Sequence, residues 1–142
     1  MSDMIYQSLA TSDNPLGLED RQHVVTYKAG GAISAGDALI FDISEPIAAN
    51  RMRVVVAQTV QGTEALFAGI ALSDAASGEL VDVALGYVEA VSAHTDIDAG
   101  DPLYFHTTGG MVAQGPIGTH MIIGVALTDD SGGLCSAYFY RR

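Results

Sequence analysis

The chain repeats itself, and the repeat limits the folds open to it. Ile33-Ser-Ala-Gly-Asp-Ala-Leu-Ile-Phe41 returns as Ile97-Asp-Ala-Gly-Asp-Pro-Leu-Tyr-Phe105. Gly69-Ile-Ala-Leu-Ser-Asp74 returns as Gly124-Val-Ala-Leu-Thr-Asp129. Both echoes run in the same order, offset by 64 residues (97 − 33) and 55 residues (124 − 69). The first copy therefore carries nine more residues between its motifs, assigned here to the stretch 45–64. Ser77–Leu85 and Ser131–Phe139 continue the match. Repeated sequence in a short chain implies a repeated supersecondary unit whose copies share a core. The expected organisation is an extended N-terminal arm over residues 1–20, then one β domain over 21–142. Its two related units span about 29–92 and 93–142.

Period and punctuation point to strands. Leu80–Leu85 alternates Val81, Val83 and Leu85 with small or acidic residues, the period of a half-buried strand. Similar short runs occur at His23–Tyr27, Ala38–Phe41, Arg51–Thr59, Leu66–Leu72, Tyr87–Val91, Leu103–Phe105, Met111–Ala113, Met121–Leu127 and Leu134–Tyr140. About ten strands at near-regular spacing, with 16 glycines for the turns, predict a compact all-β, antiparallel barrel or sandwich. The pairs Gly30-Gly31, Gly109-Gly110 and Gly132-Gly133 read as hairpin turns. No amphipathic helix is expected, only a helical turn near Thr63–Leu66 or Asp74–Ser77.

In the repeated Ile-x-Ala-Gly-Asp-x-Leu-x-Phe motif, Gly36 and Gly100 are placed to take positive φ. Asp37 and Asp101 are placed to accept local backbone hydrogen bonds that fix the turn. The Gly-Ile/Val-Ala-Leu run reads as a buried strand whose small residues let a neighbour come close.

Charge removes whole classes of function. Seventeen Asp and Glu against six Lys and Arg give a net charge of −11. Nucleic-acid binding and adhesion to anionic membranes both require a basic face, so neither is expected. The single cysteine, Cys135, allows no intramolecular disulfide, and the opening Met-Ser-Asp-Met-Ile-Tyr lacks the pattern of a secretory signal. No apolar run approaches the ~18 residues of a membrane helix.

No catalytic or metal constellation emerges. Asp96, Asp98 and Asp101 lack both the spacing and the distal Glu of a calcium loop. His23, His94, His106 and His120 do not fall at metal-ligand spacing, and Cys135 has no Cys-x-x-Cys partner. Cys135 beside Leu134 reads as a buried structural thiol rather than a nucleophile. Glu79, Asp82 and Glu89 come without the aromatic platform of a glycosidase, the chain having no Trp. Lys28, the only lysine, lies outside any duplicated hairpin, unlike the lysine of a biotinyl or lipoyl carrier. The expectation is no enzyme, no cofactor and no metal.

The succession Ala29–Asp37, Gly69–Leu72, Ala76–Glu79, Val83–Gly86, Ala99–Tyr104 and Gly124–Leu127, followed by a β-rich C-terminal run, resembles the tailed-phage capsid decoration (cement) proteins. The resemblance covers roughly Val24 to Tyr140. It implies a barrel with tulip- or jelly-roll-like character, made in the host cytoplasm and placed on the outer surface of an icosahedral head. The implied partners are the major capsid protein and further copies of the chain, as a homotrimer at three-fold or quasi-three-fold positions. The arm's apolar residues Ile5, Tyr6, Leu9, Leu16 and Leu18 are the candidate anchors on the shell. The alternative is a carbohydrate- or receptor-binding β module, which would draw on Tyr87, Tyr104, Tyr138 and Tyr140.

Overall fold

The structure is a computed structural model, and it describes residues 22–44, 53–58, 63–106, 109–114 and 121–140. The arm anchors Ile5, Tyr6, Leu9, Leu16 and Leu18 lie outside the described residues, as does His120. Nine strands are described: β1 (Gln22–Ala29), β2 (Ala38–Phe41), β3 (Val54–Ala57), β4 (Phe67–Ala71), β5 (Leu80–Ser92), β6 (Pro102–Phe105), β7 (Val112–Gln114), β8 (Gly124–Ala126) and β9 (Leu134–Phe139). One 3-10 turn, Glu64–Leu66, precedes β4. The protein is all-β, as the strand-length runs predict.

Hydrogen bonding follows the order β1-β3-β2-β4-β5, and β5 pairs back onto β1, so the first five strands close a barrel. The second set runs β5-β9-β8-β6-β7, and a parallel bridge between Ala93 and Val112 brings β7 back beside the end of β5. The long β5 serves both sets. Its first half pairs with β1 and β4, its second with β9.

The registers of the two sets coincide at repeat-equivalent residues. Leu39 faces Gly69 in β2–β4, and Leu103 faces Gly124 in β6–β8. Phe41 faces Val55 and Phe105 faces Val112. Ala29 lies parallel to Val55, and Ala93 to Val112. Ala71 faces Val83, and Ala126 faces Ala137. The same positions build the cores. Ala29, Ile33, Leu39, Val55, Ala71, Val81 and Val83 are buried in the first barrel. Ala93, Ile97, Leu103, Val112, Ala126, Cys135 and Ala137 are buried in the second. Cys135 thus stands where the first unit has Val81, which accounts for a small apolar thiol there.

Four sequence expectations need refinement. Pairing is antiparallel except at β1–β3 and at the Ala93–Val112 bridge. Leu80–Leu85 and Tyr87–Val91 are one 13-residue strand, because Gly86 at φ 82° does not turn the chain. Gly86 stays paired on both edges, to Gln22 and Phe139, and marks where β5 passes from one barrel to the other. Gly30-Gly31 is no hairpin, since the next strand, β2, pairs with β3 and β4. The nine extra residues also split. Seven lie between β2 and β3, since 41 to 55 is 14 steps and 105 to 112 is 7. Two lie between β3 and β4, since 55 to 69 is 14 steps and 112 to 124 is 12.

The barrels are joined through backbone. Ala38 N–H donates to Gly110 O at 2.9 Å, Gly110 N–H to Gln58 O at 2.9 Å, and Gln58 N–H to Ala38 O at 3.0 Å. Ser92 N–H donates to Gly36 O at 3.0 Å. This junction cannot recur with a third unit. Pro102, the equivalent of Ala38, has no N–H to give, and the Lys28 N–H, equivalent to that of Ser92, is taken by Arg53 O at 3.0 Å.

Candidate functional site

The repeated turns are built alike. Gly36 and Gly100 take φ 94° and 95°. Asp37 Oδ2 accepts the Ser34 N–H at 3.0 Å, and Asp101 Oδ2 accepts the Asp98 N–H at 2.8 Å. The second motif supplies the other carboxylate: Asp74 Oδ1 accepts from Ala35 N–H at 2.8 Å, and Asp129 Oδ1 from Ala99 N–H at 2.9 Å. The two motifs are therefore two halves of one clasp, which explains why they recur together. Their surroundings differ. A Cβ on Gly36 would lie 3.2 Å from Ala90 O, whereas Gly100 faces open space. Burial raises the pKa of Asp37, the Ser34 N–H opposes that, and the charge of Asp74 adds to it.

Three of the carboxylates weighed for chemistry are engaged in structure: Glu79 Oε1 accepts from Ala76 N–H, Asp82 Oδ1 from the Thr26 hydroxyl, and Asp101 Oδ2 from Asp98 N–H. Asp130 Oδ1 likewise accepts from Ile97 N–H. Among the described residues no three His, Cys, Asp or Glu side chains gather to hold a metal ion. His94 and His106 stack at 3.9 Å and 17°. Burial, and secondarily the charge of His94, holds the pKa of His106 below its usual range. Burial, with Asp130 nearby, pushes the Cys135 thiol up to about 11, so it is protonated at neutral pH and a poor nucleophile. Of the four tyrosines weighed for a carbohydrate- or receptor-binding patch, Tyr104 is buried. Tyr87 and Tyr138 face each other across β5–β9, and Tyr140 lies 6.2 Å from Tyr138.

Among the described residues lies an apolar cavity of about 310 Å³ lined by Tyr27, Phe41, Phe67, Leu85 and Tyr140 with two alanines. Tyr27 and Phe41 meet edge to face at 5.4 Å, and Arg53 Cζ stands 6.0 Å from the Phe41 centroid. The cavity lies where the chain enters and leaves the barrels, since Gln22, Gly86 and Phe139 sit side by side across three strands. Residues Gln22–Thr26 of β1 are all exposed, Val24 at 46% and Val25 at 36%. Their second edge has no strand partner among the described residues, because β3 pairs only at Lys28 and Ala29.

Two buried polar residues escaped the sequence reading. Gln58 Nε2 donates to His106 O and Met111 O, each at 3.1 Å. Glu64 Oε2 accepts the Phe105 N–H at 3.2 Å. Both reach from the β3–β4 region of the first barrel to the β6–β7 hairpin of the second. Their contacts are non-local, so no short-range pattern announces them.

A family model for phage cement protein matches residues 20–134. The chain belongs to that family. Among solved structures, the N base of the bacteriophage phi29 head fiber is similar in fold, with a TM-score of 0.62 at 18% identity, covering 84% of this chain and 95% of that one. No curated protein sequence matches the chain. Family membership makes this cement-family chain a structural protein of the phage head, and it locates the protein with the virion capsid. No described helix is long and apolar enough to cross a membrane.

Proposed function

We propose that this protein binds the outer surface of an icosahedral phage head and stabilises it, acting as a homotrimer at three-fold or quasi-three-fold positions against the major capsid protein. The observation that carries the reading is the family match over residues 20–134, which runs from the start of β1 to the first residue of β9. Multivalency supplies the energetics: once one protomer of a trimer is engaged, the others bind at a high effective concentration, so modest single contacts add to a long-lived complex. The arm, residues 1–20, is the anchoring element, through Ile5, Tyr6, Leu9, Leu16 and Leu18.

Two measurements test this. Light scattering of the purified protein should give three times the 14.8 kDa chain mass. Deleting Met1–Leu18 should leave the β domain folded by circular dichroism and abolish occupancy on capsids. Unchanged occupancy would remove the arm from the account, and a monomeric mass on and off the capsid would remove the trimer.

A further inference from the structure

Both barrels carry the same four-strand row of side chains, and only one copy of the row is covered. In the first barrel Val24, Ala84, Ile70 and Ala38 stand side by side across β1, β5, β4 and β2. In the second, Tyr87, Tyr138, Val125 and Pro102 stand side by side across β5, β9, β8 and β6. Ala84, Ile70 and Ala38 are fully buried, in one cluster with Phe105 and Phe139 of the second barrel. The first row is therefore the contact between the barrels. The second row has no such cover, and all four of its residues keep part of their surface in solvent.

An outward sheet face that meets water is normally polar, and so is the outer face of a terminal repeat. This one is apolar. β9 turns Leu134, Ser136, Tyr138 and Tyr140 outward, in alternation with buried Cys135, Ala137 and Phe139. Beside Ser136 lies Leu127, whose N–H donates to Ser136 O. Leu127, Leu134 and Tyr140 are 46%, 44% and 44% exposed. Where the first row has Val24, Ala84 and Ala38, the open row has Tyr87, Tyr138 and Pro102, so it has gained aromatic surface rather than charge. The face measures about 14 Å across the four strands and about 20 Å along β9. A contiguous apolar area of this size marks an interaction site.

Three features identify the occupant as a second copy of the chain. Across residues 85–89, 102–105, 124–127 and 134–140 the only charged residue is Glu89, in a chain of net charge −11. Two such chains repel one another over most of their surface, and this face lets them meet without opposing carboxylates. Its side-chain polar groups beside Glu89 are the hydroxyls of Tyr87, Ser136, Tyr138 and Tyr140, which both donate and accept, so the face can satisfy a copy of itself. Finally, another barrel cannot stack on the open row as the second stacks on the first, because Pro102 has no N–H for that junction. Contact between like faces closes about a symmetry axis instead of extending head to tail.

We propose that the outward face of β8 and β9, centred on Tyr138, is the surface through which copies of this chain pack on one another. The inference rests on the homo-oligomer of the proposed function and names its interface.

The repeat supplies the control. Leu127 and Leu134 lie on the proposed face, and their equivalents Leu72 and Leu80 lie on the first barrel at 38% and 60% exposure. Leu127→Glu combined with Leu134→Glu should reduce the full-length protein in sedimentation equilibrium from the oligomer to the 14.8 kDa chain, with circular dichroism unchanged. Leu72→Glu combined with Leu80→Glu should leave the oligomer intact. An oligomer that persists in the first double variant overturns the interface and leaves self-association standing. Dissociation of both double variants alike also overturns it, since any added charge would then suffice. An unaltered protein that is monomeric at every concentration overturns this inference together with the trimer. Should the first double variant fail to fold, Tyr138→Trp decides, in a chain with no other tryptophan. Its acrylamide quenching should fall severalfold as rising concentration drives association. Quenching that does not change with association overturns the proposal.

Discussion

Replacing Gly69 by alanine should damage this fold more than an equally strained glycine elsewhere, and the size of the effect can be worked out. Gly69 lies in β4 at φ 140°, where L residues are rarely found. A Cβ there would sit 2.7 Å from Ala84 O and 2.6 Å from Val83 Cγ1. The carbonyl belongs to β5, which is paired on both edges and cannot retreat. Overpacking of this kind costs about 1–3 kcal/mol, and the backbone conformation about 1–3 kcal/mol more. Gly69→Ala should therefore lose roughly 2–6 kcal/mol. With unfolding entropy near 2.1 cal/mol/K per residue, 142 residues give about 3 °C per kcal/mol, a fall in melting temperature of roughly 7–20 °C. Gly78→Ala is the control. Its φ is 90° but its Cβ would meet nothing within 4 Å, so only the conformational cost of about 1–3 kcal/mol remains. Thermal and urea unfolding of both variants, followed by circular dichroism, decides the matter. Equal losses would refute the claim that β4 and β5 approach too closely for a side chain.

Other expectations follow from the same geometry. Gly124→Ala, at the equivalent position, should cost about 1–3 kcal/mol by overpacking alone, because its Cβ would lie 2.5 Å from Tyr138 O without a positive φ. Gln58→Leu should cost about 2–3 kcal/mol by withdrawing a donor from two carbonyls at the junction between the barrels; a neutral result in urea titration would mean the junction does not depend on it. For Cys135 the folded thiol stays protonated to about pH 11 while the unfolded thiol ionises from 9.0, so the fold binds more protons between those values. Stability should therefore fall as pH rises through that window, and Cys135→Ser should lose this dependence; a thiol reagent should react in urea and not in native buffer. For His106 the folded pKa is lowered, so its contribution is intact above pH 6.5 and declines as pH falls below that value. His106→Gln should flatten that decline in melting temperature.

Much of the architecture was legible because the sequence says it twice. Gly36 and Gly100, Leu39 and Leu103, and Gly69 and Gly124 could be matched by eye, and their registers coincide in space. Strand period then located eight of the nine described strands as separate runs and broke β5 at Gly86. The break is an error of local reasoning: a glycine at positive φ usually turns a chain, but here pairing on both edges carries the strand through. The parallel β1–β3 contact was not legible, since a parallel pairing is fixed by distant residues rather than by a turn. The cavity was invisible for a similar reason. Tyr27, Phe41, Phe67, Leu85 and Tyr140 come from five strands or their ends and meet only when the barrel closes. Gln58 and Glu64 look like ordinary polar punctuation until the second barrel covers them.

The most direct test of the account is to mix the purified protein with heads of its own phage lacking the decoration and to sediment them. The account predicts saturable co-sedimentation at a fixed number of copies per head, with a rise in the temperature or denaturant concentration at which the heads break open. Protein that stays in the supernatant at saturating concentration, with heads no sturdier than before, would contradict it.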